Sequence, residues 1–162
     1  MTKAFFLITA VLLLAASGCA TTAGDVALRP DGTPGPEACP AKALEVMKYL
    51  KLHVGDAAWV ELDANQLATK PITLYDGPIE SVLKDDFGTL EATSRLYGRV
   101  WTGGPQVVIR YYEAHPPEGD KVPICAVARL SNGQMRKRPE SKPGTAILDF
   151  PVASAFVVES FR

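Results

Sequence analysis

The sequence predicts a mainly β protein: an antiparallel β-sandwich or small barrel of about seven strands, with one N-terminal helix. Three observations carry that expectation. From Asp56 onward apolar residues recur at a period of two, the spacing of a strand with one buried face. About seven such runs follow one another at roughly 10–15-residue intervals, with no helical pattern between them to make a parallel crossover. The chain holds 13 prolines and 13 glycines in 162 residues, which supplies many turn positions.

The helix is expected over residues 41–51. Ala43, Leu44, Met47, Leu50 and Val54 fall at three- and four-residue steps and make one apolar stripe. Pro40 suits a first helical turn, where a missing N–H costs nothing, and Gly55 ends the pattern. Alternation then begins. Ala58, Val60 and Leu62 share one face against Trp59 and Glu61; Ile72 and Leu74 share one against Thr73 and Tyr75. The longest run is 88–101. Leu90, Ala92, Ser94, Leu96, Gly98 and Val100 point one way, and Glu91, Thr93, Arg95, Tyr97, Arg99 and Trp101 the other. Runs 106–114 and 121–130 form the next pair, joined by a Pro-rich loop at 115–120. Asn132-Gly133 is the strongest hairpin dipeptide in the chain. Runs 145–150 and 152–161 complete the set. Pro78, Pro105, Pro123 and Pro151 lie at or near strand ends, where a missing donor is tolerated.

The first 19 residues have a different character. Lys3 is their only charge, residues 4–16 are apolar except for Thr9, and small Ala16, Ser17 and Gly18 precede Cys19. This is a secretory signal pattern, and it is too short for a membrane span of about 20 apolar residues. Ala16-Ser17-Gly18-Cys19 resembles the lipobox of bacterial lipoproteins, with Ala16 where members usually carry Leu. The resemblance implies cleavage before Cys19 and a diacylglyceryl group on its thiol. Two or three acyl chains anchor stably, at about 0.8 kcal/mol per buried CH₂. Ala20 in the following position implies the outer membrane, facing the periplasm, if the source is Gram-negative. A plain secretory signal cleaved nearby is the alternative. The organisation expected is a signal peptide at 1–18, a lipidated cysteine with a Pro/Gly-rich linker at 19–40, and a single β-rich domain with its helix at 41–162. Pro30, Pro34, Pro36 and Pro40 with Gly24, Gly32 and Gly35 make that linker read as an extended spacer lifting the domain off a lipid surface.

If Cys19 carries lipid, Cys39 and Cys125 remain as an even pair in an oxidising compartment. A bridge would staple the helix start to the sheet and close a loop of about 87 residues, contributing roughly 4–5 kcal/mol in the chain-entropy picture. Two free thiols are the alternative. The segments 88–92, 96–104 and 122–128 resemble parts of uncharacterised bacterial envelope proteins, which implies no activity.

Several function classes are disfavoured. Net charge is −1 and pI about 6.1, without the basic excess of a nucleic-acid binder. No phosphate loop, zinc spacing or nucleophile elbow is present, so neither a cofactor nor a metal is expected. His53 and His115 have no ligand at a chelating offset. His115, Glu118 and Asp120 read first as a solvated loop, and Asp85-Asp86 as turn residues. Two surface features remain. Arg136-Lys137-Arg138 with Lys142 is the only basic run, a possible contact for anionic lipid, anionic polymer or an acidic protein, or else a solvated loop. Tyr97 and Trp101 share the polar face of the long run, as a partner or glycan face or as the floor of a second layer. The expected function is that of a non-enzymatic envelope lipoprotein, a binding or assembly module partnered by membrane lipid and an envelope protein or anionic polymer. A small periplasmic enzyme or inhibitor with an unrecognised site is the alternative.

Overall fold

A computed structural model describes residues 24–130 and 135–162. Eleven strands and one helix follow in chain order: β1 (Glu37–Ala38), α1 (Ala41–Tyr49), β2 (Ala57–Glu61), β3 (Ile72–Tyr75), β4 (Gly77–Leu83), β5 (Arg95–Trp101), β6 (Gln106–His115), β7 (Val122–Arg129), β8 (Met135–Arg136), β9 (Thr145–Leu148), β10 (Val152–Val157) and β11 (Ser160–Phe161). Every pairing between them is antiparallel. Six strands close on themselves in the order β2-β4-β5-β6-β7-β10, and β10 returns to pair with β2 through Ala153↔Val60 and Ala155↔Ala58. Of the two expected architectures, the barrel is the one formed. β8 adds a short seventh strand on β6, and β3 pairs with β9 as a separate ribbon.

Alternation puts one face of each strand inside. Val60 and Leu62, Leu83, Leu96 and Val100, Ile109 and Tyr111, Ile124 and Ala126, and Ala153 and Ala155 are all buried. Their apolar side chains fill the barrel. The buried polar pair is Ser81 and Tyr111. The Ser81 hydroxyl donates to Leu62 O at 2.6 Å, so the Tyr111 hydroxyl, 2.7 Å away, donates to Ser81 Oγ. Between β5 and β6 the register shifts at Tyr97/Gly98. Gly98 is required there, because a Cβ would stand 1.9 Å from Arg110 O.

Both mouths of the barrel are covered. Cys39, just before α1, is bonded to Cys125 on β7, with a Cα–Cα distance of 6.1 Å. Past the other end of α1, Thr89 N–H donates to Leu50 O at 2.8 Å, in the connection from β4 to β5. β7 and β4 are diametrically placed in the ring, so α1 spans this mouth. Ala43, Met47 and Leu52 are buried beneath it. The β3–β9 ribbon lies at the opposite mouth, between the end of β2 and the starts of β4 and β10. It buries Ile72, Leu74, Ala146 and Leu148 in the same core. Among the described residues no helix is long and apolar enough to cross a membrane.

Three expectations need correction. The run 88–101 is a strand only from Arg95. Leu90 and Ser94 are buried as the alternation required, but they sit in a turn. There Asp86 Oδ1 accepts the Ala92 N–H at 2.8 Å and Thr93 takes φ 76°. Val54 is 64% exposed, because the helix ends at Tyr49 and Lys51 turns the chain at φ 55°. From Gly24 to Pro40 the Pro/Gly-rich segment is packed on the barrel rather than extended from it. Gly35 N–H donates to Ala27 O, Pro34 and Gly35 are buried, and β1 pairs with β11. Short residues suit that role, since they let the backbone approach the barrel wall closely.

Candidate functional site

The outer wall of β5 and β6 carries an unusual polar arrangement. Arg110 projects outward from β6 yet is only 1% exposed, covered by the N-terminal segment and by β11. Its guanidinium donates to Gly35 O at 2.7 Å and lies 3.3 Å from Glu37 Oε2. The Trp101 and Phe161 rings flank it at 5.4 and 5.1 Å. The Tyr112 hydroxyl donates to the same Glu37 oxygen at 2.7 Å. Burial, then the Glu37 carboxylate, push the Tyr112 hydroxyl well above the usual phenol range. A buried arginine of this kind needs such partners, because an unpaired interior charge is costly. The cluster fastens the N-terminal segment to the barrel.

Arg99, the cross-strand partner of Arg110 on β5, also lies over the Trp101 ring, at 5.5 Å. Its Nε is buried with no hydrogen-bond partner among the described residues. Farther along the strand, Tyr97 donates to Glu80 at 2.8 Å and stacks on His115 with centroids 4.1 Å apart. The Arg95 guanidinium hydrogen-bonded to Glu80 holds that carboxyl below its ordinary value.

A groove of about 590 Å³ opens on the wall formed by β6, β7 and β10. Val108, Val127, Phe156 and Val158 give it apolar walls, with Arg129 and Arg162 beside them. Arg129 is exposed, and its guanidinium lies 5.8 Å from the Phe156 ring. The groove exists because β6 and β7 are paired only from Arg110↔Val127 onward, while the start of β6 pairs with β8.

The residues singled out in the sequence are distributed as follows. Cys19 and Asn132-Gly133 lie outside the described residues. Cys39 and Cys125 are disulfide-bonded, as expected. The basic run is not a uniform exposed patch. Lys137 donates to Thr102 O, and Arg138 is held by Asp149 at 2.7 Å and by Glu140 at 3.7 Å. Arg136 and Lys142 are exposed. Tyr97 is half-buried, whereas Trp101 is 3% exposed and cannot offer its ring to a glycan or partner. It is the floor of a second layer. His115 pairs with Glu113 at 3.1 Å and His53 with Asp56 at 3.2 Å. Among the described residues no group of three His, Cys, Asp or Glu side chains could hold a metal ion.

The groove was invisible in the sequence. Val108, Val127 and Phe156 occupy outward positions on different strands, and only the barrel closure brings them together. Arg110 carried no signal either, since an arginine at an outward strand position ordinarily faces water. No family model, curated protein or solved structure matches the chain.

Proposed function

We propose that this chain is a lipid-anchored protein of the cell envelope whose barrel acts by binding rather than by catalysis. The observation that carries the proposal is the Cys39–Cys125 disulfide. Such bonds persist in oxidising compartments, which agrees with export under the signal pattern of residues 1–19. The binding half rests on where open space lies. Both mouths are covered and the interior is filled, so a partner would meet the outer wall, where the groove stands open.

Mass spectrometry of the N-terminal peptide from the native protein tests the anchor. An acylated Cys19 is expected, and Cys19→Ser should stay uncleaved or leave the mature chain soluble. An unmodified N-terminus at any other residue overturns the anchor. A photo-crosslinking residue at Phe156, introduced in the native cell, tests the groove. It should capture an envelope component that the same residue at exposed Glu91 does not; identical capture from both positions rejects the groove as the contact surface.

A further inference from the structure

The chain between Cys19 and the barrel is very short, and the point where it reaches the barrel is fixed. A Cβ on Gly24 would lie 3.3 Å from Arg99 Cδ and 3.3 Å from Tyr112 Cε2, so Gly24 sits directly on the β5–β6 wall. Only five residue steps separate it from Cys19. At a maximum of about 3.6 Å per residue, they reach no farther than about 18 Å. A folded domain of residues 24–162 has a radius of gyration near 14 Å and is roughly 37 Å across. The wall bearing Gly24 can therefore rest on a bilayer that holds Cys19, and the opposite wall cannot.

The chemistry of that wall suits a phospholipid surface. Arg99 is half-buried and enters no ion pair among the described residues, although its neighbour Arg110 has Glu37. Pro78, its cross-strand partner on β4, is exposed. Lys137 is tied to Thr102, next to Trp101, which brings the basic run toward the same end of β5. We propose that the barrel face at β4 and β5 docks on phospholipid headgroups, with the Arg99 guanidinium meeting a lipid phosphate. The groove on β6, β7 and β10 is centred on β7, across the ring from β4, and so turns away from the lipid. This inference rests on acylation at Cys19.

The test uses the acylated full-length protein in vesicles of phosphatidylethanolamine and phosphatidylglycerol that contain a nickel-chelating lipid. A nitroxide is attached through Pro78→Cys in one sample and Arg129→Cys in another. The nickel-induced relaxation at position 78 should exceed that at position 129 several-fold. A flexible insertion of about 20 residues between Ala23 and Gly24 should bring the two signals together, because such a linker spans the domain radius. Arg99→Gln should reduce the signal at position 78 while Arg99→Lys, which keeps the charge, retains it; an unchanged signal in the Gln variant removes the phosphate contact. Equal relaxation at both positions in the acylated parent overturns the orientation while leaving the anchor intact. If Cys19 carries no acyl group, both fall. A difference that survives the insertion overturns the short tether as its cause.

Discussion

Arg110 ties several residues into one energetic unit. Its charge is buried under Gly35, Trp101 and Phe161, and Glu37 is its counter-charge. Glu37→Ala leaves that charge without its carboxylate and removes the acceptor of the Tyr112 hydroxyl. The expected cost is about 3 kcal/mol, read as a drop on the order of 10 °C in a thermal melt. The double variant Glu37→Gln, Arg110→Met should recover most of it, because the buried charge is gone; no recovery would show that packing matters more than charge. Tyrosine ionisation sets the alkaline limit. Burial raises the Tyr111 hydroxyl far above the ordinary range, and burial with Glu37 does the same for Tyr112. Unfolded tyrosines lose their protons near pH 10 while these two keep theirs, so the native state binds more protons and stability falls as pH rises above about 10. Each contributes a slope of up to about 1.4 kcal/mol per pH unit. Urea midpoints measured across that range should show the decline, and Tyr111→Phe should remove about half of it.

The helix, the strands and the N-terminal segment differ in how openly the sequence announces them. Residues 57–62 and 122–129 were legible because each second residue is apolar, and all of these except Val122 are buried. The turn before β5 was not: Leu90 and Ser94 keep the strand spacing, and the positive φ of Thr93 has no sequence signature. The segment 24–40 looked like a tether because it lacks periodic apolar residues, yet backbone pairing and the Arg110 cluster hold it in place. Removing residues 24–38 should therefore destabilise the domain severely by melting or proteolysis, whereas a true spacer would be dispensable. The Cys39–Cys125 staple was legible by counting cysteines once one was assigned to lipid. Replacing both by Ala frees a chain separation of 86 residues, at a cost of about 4–5 kcal/mol. A drop of about 10–15 °C in melting temperature is expected. Both thiols should resist alkylation until the unfolded protein is reduced.

At the scale of the molecule, one hydrogen-bonded ring binds six strands, and α1 and the β3–β9 ribbon cover its mouths. The groove and the buried arginine emerge only at this level, from outward residues that closure makes neighbours; no run of sequence contains either. Hydrogen exchange should find the slowest amides in the ring, where β2 and β10 complete it, and faster ones in the ribbon and in β1 and β11. Equal rates throughout would show that the ring gives no special protection. The closed ring also governs how neighbouring molecules can interact. A protein held by lipid is concentrated in two dimensions, where an open sheet edge would invite its neighbours to add strands. Here the six ring strands present one another with their backbone donors and acceptors. Among the described residues, the strands outside the ring, β1, β3, β8, β9 and β11, are each two to four residues long, and the ring strands leave open backbone only at their ends, as beside the groove. If the chain is lipid-anchored as proposed, copies crowded on one membrane have little backbone with which to template one another, and a partner is recognised chiefly through side chains.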